Sequence, residues 1–245
     1  MNPEILTTLN PDYRVLFAIE SGSRAWGFAS KDSDYDVRFV YVWPKDHYLR
    51  VHSPKEHLHH DLPGDLDITG WDLKKALHHF GKSNASFYEW INSPIVYLDH
   101  EHTLQRLRDL TPQYFQTRPV VHHYLGLAKQ LWAQNGANVE VNGKWLLYVL
   151  RATLSAAWTL EYQTPPPVLF RKLLPLISKS TLLDEVHALL EWKSESKESD
   201  AFPVSNELRE YLARMREECE QRVSTFTAEI PDYQLLDEFF QNVIA

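Results

Sequence analysis

Two acids one residue apart, Asp34 and Asp36, lead into an apolar run that includes Val37, Phe39, Val40, Tyr41 and Val42. An earlier apolar run, Arg14–Glu20, ends in Ser21, Gly22 and Ser23. Side chains at i and i+2 of a strand share a face, so Asp34 and Asp36 would aim two carboxylates at one point. Carboxylates so close repel unless a cation sits between them, and hard oxygen ligands suit Mg²⁺. The Gly22–Ser23 turn offers backbone N–H groups and a hydroxyl, the donors with which turn nests hold phosphate. A phosphate cradle beside metal-binding carboxylates is the apparatus of phosphoryl or nucleotidyl transfer. The competing reading is a turn or helix cap, because short polar side chains bond their own backbone. That reading suits Asp32. It leaves unexplained why Asp34 and Asp36 run directly into a β-rich segment, where Asp is disfavoured.

The order and spacing of Gly22, Ser23, Gly27, Asp34 and Asp36 resemble the minimal nucleotidyltransferases of the DNA polymerase beta superfamily. The stretches 22–27, 32–38 and 70–77 are similar to one subgroup, the predicted nucleotidyltransferases that include RNA-repair-associated members. The likeness continues through Lys82–Asn84, Glu89–Pro94, Tyr148–Arg151 and Thr164–Pro167. The resemblance implies Mg²⁺ (or Mn²⁺) held by Asp34, Asp36 and a third acid on a neighbouring strand. It also implies a nucleoside triphosphate, ATP among the options, with its phosphates at Gly22 and Ser23.

Asp67, set between apolar Leu66 and Ile68, is the expected third acid, and Asp65 has the same strand parity and stands in reserve. A loop after Pro63 and Gly64 is the alternative for both. Ser23 reads equally as a helix cap, and the two roles are compatible because a helix N-terminus is an anion site. Arg24 adjoins the turn and reaches either a phosphate or solvent. Arg38 falls on the Asp36 side of its strand, where it neutralises the acids or contacts a triphosphate. Lys144 and Arg151 share a helical face, and in related transferases basic residues of a second domain reach the nucleotide. The alternatives are solvated charge for Lys144 and a buried ion pair for Arg151.

The elements that must position these residues are legible in outline. Strands are expected at Arg14–Glu20, Tyr35–Trp43, Asp65–Thr69 (closed by Gly70) and Ile95–Leu98. Helices are expected from Asp72 to Phe80 and from Phe87 to Ile91, and a short one over 3–12. The His-rich segment 52–60 reads as a solvated loop, since its spacing matches no zinc motif. After residue 100 helical runs take over, near 102–109, 119–134, 144–161, 168–178, 181–193, 205–226 and 233–243, with a linker at Lys193–Asp200. The expected fold class is therefore α+β: a small mixed nucleotidyltransferase sheet with flanking helices, then a C-terminal helical region. The expected domains are a catalytic one over 1–100 and a helical one over 101–245.

Composition narrows the function further. The 245 residues are 44% hydrophobic and 24% charged, enough to build a proper core. A single cysteine, Cys219, rules out an internal disulfide framework or a cysteine zinc cluster. The N-terminus lacks a signal-peptide pattern, and no apolar run is long enough to span a bilayer, so a cytoplasmic protein with no membrane partner is expected. There is no Gly-x-x-x-x-Gly-Lys loop and no Gly-x-Ser-x-Gly elbow. A net charge of −8 argues against a duplex binder and favours a small or short acceptor. The expected function is metal-dependent transfer of a nucleoside monophosphate from a triphosphate to a hydroxyl acceptor, with pyrophosphate release. RNA, a protein and a small molecule all remain open as acceptor. The alternatives are a non-catalytic nucleotide-binding or antitoxin-like module that keeps the fold, against which the intact acid set argues, and a metal-dependent phosphohydrolase using the same acids.

Overall fold

The computed structural model describes residues 12–61, 66–135, 140–195 and 200–245. Residues 3–11 of the helix expected over 3–12, and the reserve acid Asp65, lie outside them. The chain forms two compact units. The first comprises residues 1–25, 34–115 and 230–245, and the second comprises 26–33 and 116–229.

The first unit is built on a five-stranded mixed sheet. Its strands are β1 (Arg14–Glu20), β2 (Tyr35–Val42), β3 (His57–Asp61), β4 (Leu66–Asp72) and β5 (Val96–Asp99), in the order β3-β4-β2-β1-β5. Only β2 and β4 run parallel; every other neighbouring pair is antiparallel. Two short helices join this set, α1 (Gly22–Trp26) after β1 and α2 (Lys45–Tyr48) after β2. Next come α3 (Leu73–Gly81), α4 (Ala85–Ile91) and α5 (Thr103–Tyr114).

Both sheet faces are covered, which explains why β1 and most of β2 are apolar without alternation. Phe39, Tyr41, Val37 and Ile68 point into one cluster with Tyr13 and Ala18. By alternation Asp36, Arg38, Val40 and Val42 occupy the other face. There Val40 and Val42 pack with Leu73, Phe80, Phe87, Leu104 and Leu107 from the helices. The helices thus cover the far ends of β2 and β4, and the polar residues stand at the strand starts. Asp72 caps α3 by accepting from the Lys74 N–H at 2.9 Å. Asn84 begins α4 rather than finishing α3, its side chain accepting from the Phe87 N–H at 3.0 Å.

The second unit contains α6 (Thr117–Asn135), α7 (Gly143–Tyr162), α8 (Ser180–Glu195) and α9 (Asn206–Val223), with a small ribbon of β6 (Glu140–Asn142) and β7 (Ala201–Pro203). The last helix, α10 (Gln234–Ile244), belongs to the first unit. In the second unit α7 is buried around most of its circumference, as expected of a central helix. Phe28, from the segment between α1 and β2, packs in its core with Leu147, Leu150 and Phe170.

Packing redraws several sequence expectations. The boundary expected at residue 100 falls at 115, because Leu104, Leu107 and Tyr114 of α5 join the core under the sheet. α10 returns to that core through Leu236, Phe239 and Val243. Segment 57–61 is the edge strand β3, not a loop. Residues 170–172 and 174–176 form 3₁₀ turns instead of a helix, in a stretch broken by Pro165–Pro167 and Pro175. Lys193 lies in α8, only 2% exposed, and donates to Ser30 Oγ at 2.9 Å.

Gly70 lies inside β4 instead of closing it. A Cβ there would fall 2.2 Å from Phe39 Cζ, so the absent side chain makes room for a buried ring. Gly70→Ala is expected to destabilise the protein by about 1–3 kcal/mol through overpacking. Thermal unfolding reads this as roughly 2–4 °C of Tm per kcal/mol, partly restored by adding Phe39→Leu. An unchanged Tm would contradict the register of β2 on β4.

Candidate active site

The register of the one parallel pair places Asp36 opposite Asp67 and Arg38 opposite Thr69. Apolar Leu66 and Ile68 join the opposite face, so Asp67 shares the face of Asp36. A single Arg38 nitrogen, Nη2, donates to Asp36 Oδ1 at 3.0 Å and to Asp67 Oδ2 at 2.9 Å. Its Nη1 donates to the carbonyls of Val37 and Asp67 at 3.1 and 3.2 Å. The guanidinium is thus an internal counter-cation where two carboxylates converge. Asp34 is exposed and stands one residue before β2.

Gly22 has φ +61°, a conformation that favours glycine. A Cβ on it would lie 2.0 Å from Asp36 Oδ2. The missing side chain therefore makes room for the Asp36 carboxylate itself, in addition to the phosphate approach expected from sequence. Ser23 is buried in α1. Arg24 ties this turn to the acid segment: its Nε donates to the Asp34 carbonyl at 3.1 Å, and its guanidinium lies 3.7 Å from the Tyr35 ring centroid.

Sequence reading passed over four neighbours. Glu20 is fully buried, accepts from the Asp36 N–H at 2.8 Å, and accepts from the Tyr97 hydroxyl. The signal for it was an acid closing an otherwise apolar strand immediately before Ser21 and Gly22. On the other side Thr69 Oγ1 donates to Asp67 Oδ1 at 3.3 Å, and His59 Nδ1 lies 3.5 Å from that oxygen. His59 was obscured because its segment read as a loop. Lys144 and Arg151 share α7 in the second unit, whereas the acids belong to the first. Arg151 is 3% exposed and its guanidinium lies 4.1 Å from the Trp26 ring centroid.

Electrostatics describe a crowded site. Burial pushes the Asp36 carboxyl above its ordinary value; Arg38 opposes the rise, and Asp67 and Asp34 add to it. Burial also raises the Glu20 carboxyl, countered by hydrogen bonds from Tyr97 and Asp36. Among the described residues no three acids or histidines are gathered closely enough to cage a metal as they stand, and Arg38 already draws on both paired acids. The donor chemistry nevertheless fits a hard divalent cation: carboxylate oxygens converging on one point, with negative charge that one guanidinium leaves uncompensated.

A small mixed sheet with paired acids on adjacent strands and a Gly-Ser turn beside them defines a nucleotidyltransferase-like protein. Residues 5–242 match RlaP, the RNA repair pathway DNA polymerase beta family, and the chain belongs to that family. It is 39% identical over 188 residues to the protein YcgL of Bacillus subtilis, covering 76% of this chain and 72% of the relative. It is 26% identical over 150 residues to the protein MJ0002 of Methanocaldococcus jannaschii, covering 60% of each. A crystal structure of a nucleotidyltransferase-like protein from Exiguobacterium sibiricum aligns over 91% of this chain and 74% of its own. That alignment has 12% identity and a TM-score of 0.32. No described helix is long and apolar enough to cross a membrane.

The raised Asp36 carboxyl has a signed consequence. The folded protein holds this proton more tightly than the unfolded chain, so its contribution favours folding below the ordinary value of 3.8 and is lost as pH rises through the raised value. Without metal, Asp36→Asn is expected to melt above wild type near neutrality, with the difference closing as pH falls. Thermal melts in chelator between about pH 4 and about pH 8 test this. A lower-melting variant at neutral pH, or a difference independent of pH, would contradict the crowding.

Proposed function

We propose that the protein is a metal-dependent nucleotidyltransferase that joins a nucleoside monophosphate to a hydroxyl acceptor and releases pyrophosphate. The carrying observation is the convergence of Asp36 and Asp67, from parallel neighbouring strands, on one nitrogen of Arg38. Asp34, Asp36 and Asp67 would hold Mg²⁺ or Mn²⁺ in place of that guanidinium. When bound, the metal would supply charge neutralisation at the transferring phosphate.

The residues divide the remaining work. Gly22 and Ser23 present the turn to the triphosphate, and Arg24 keeps that turn on the acid segment. Arg38, released from the acids, pairs with phosphate oxygens. Asp67, 40% exposed at its side chain, orients the acceptor hydroxyl and takes its proton. The hydroxyl oxygen bonds to the α-phosphorus, and the bond from that phosphorus to the bridging oxygen of the β-phosphate breaks. The family's description names RNA repair, which supports an RNA end as the acceptor, and the net charge of −8 supports a short one.

Incubation with each α-labelled triphosphate, Mg²⁺ or Mn²⁺, and short RNA carrying a free 3′ hydroxyl tests the reading. Label on RNA is the expected result. Phosphate release without transfer would replace the reading with a phosphohydrolase, and nucleotide binding without turnover would replace it with a non-catalytic module. Asp67→Ala is expected to lose about 10²–10⁴-fold in turnover, the scale of a lost general base, while retaining nucleotide. Full activity in that variant would remove Asp67 from the site.

A further inference from the structure

Glu20 is a carboxyl group buried at the end of β1. Removing a carboxylate from water costs several kcal/mol even after relaxation, as an order of magnitude. Yet Glu20 is 0% exposed. Both of its oxygens accept hydrogen bonds, Oε1 from the Asp36 N–H at 2.8 Å and Oε2 from the Tyr97 hydroxyl. Its backbone is equally engaged. The N–H donates to the Ile95 carbonyl at 3.0 Å, and the carbonyl accepts from Ser93 Oγ at 2.6 Å.

These bonds converge on one neighbour. The antiparallel ladder of β1 and β2 has its last pair at Glu20 and Val37. Beyond it the Ser21 N–H donates to the Asp36 carbonyl at 2.8 Å, and the Glu20 carboxylate takes the Asp36 N–H. The peptide groups on both sides of the Asp36 Cα are thereby anchored from the other strand. The Asp36 side chain then lies where a Gly22 Cβ would stand, and its Oδ1 meets Arg38. Tyr97, from β5, holds the second Glu20 oxygen and so fixes the rotation of the carboxylate.

We infer that Glu20, oriented by Tyr97, is a positioning residue that aims Asp36 at the metal site and joins that acid to the Gly22–Ser23 turn. It touches neither substrate nor metal; it acts through Asp36. The role depends on acceptor geometry and requires no change of charge at Glu20. The inference rests on the reading of Asp36 as a metal ligand, and its test contains one arm that does not.

Glu20→Gln keeps an acceptor for the Asp36 N–H and gives Tyr97 a new partner, whereas Glu20→Leu keeps the bulk and removes both acceptors. The first arm is amide hydrogen exchange at Asp36 in metal-free protein. Protection is expected in wild type and Glu20→Gln, with exchange at least about 10-fold faster in Glu20→Leu. The second arm is Mn²⁺ titration with turnover. Glu20→Leu is expected to lose about 10–100-fold in Mn²⁺ affinity and in kcat, the usual scale for a partner that orients a metal ligand, with Glu20→Gln close to wild type. If Glu20→Leu does not fold, Tyr97→Phe takes its place with the same direction and a smaller loss. Unchanged exchange and affinity in the acceptor-free variant would overturn the inference, as would a Gln variant as impaired as Leu, which would make charge the operative property. Failure of wild type to transfer label sinks the proposed reaction only, because the exchange arm still decides Glu20.

Discussion

The constraint on which this structure depends is the meeting of like charges at the start of one parallel strand pair. Asp36 and Asp67 are brought opposite each other by strand register, which backbone hydrogen bonding imposes without regard to charge. Water cannot fully screen them, since the Asp36 side chain is only 29% exposed. Something positive must stand between them, and Arg38 does so. The paired acids are thus organised around a cation, the Arg38 guanidinium.

The rest of the first unit supports that encounter. The apolar end of β2 is locked beneath α3, α4, α5 and α10, so the register cannot slip without displacing Val40, which is fully buried there. Glycine at position 70 lets the Phe39 ring lie on β4, and glycine at position 22 lets Asp36 approach the turn. The segment from Trp26 to Ser33 joins the two chemical motifs and packs in the other unit, where Phe28 enters the core and Ser30 accepts from Lys193. The chain between turn and acids is therefore held at Phe28 and Ser30.

Much of this was legible in sequence because it rests on local pattern. The strand at Arg14–Glu20, the start of α3 at Asp72, and the shared face of Asp36, Arg38 and Asp67 follow from period-two alternation and helix capping. What was not legible depends on pairing across distance. Histidines 57, 59 and 60 look like a polar loop until β4 supplies the partner for an edge strand. Gly70 looks like a terminator until Phe39 is placed against it. Glu20 looks like the polar end of a strand until Tyr97, far along the chain, donates to it. Helix α10 reads as part of a terminal helical region, yet its apolar face completes the core under the sheet.

The central claim is that the paired carboxylates exchange the Arg38 guanidinium for a divalent cation. Anomalous diffraction from crystals grown in Mn²⁺ with a non-hydrolysable triphosphate measures this directly. The account predicts an anomalous peak about 2.1 Å from carboxylate oxygens of Asp36 and Asp67, with Arg38 turned away from both. An Arg38 side chain still bridging the two acids at saturating Mn²⁺, with no peak between them, would contradict it.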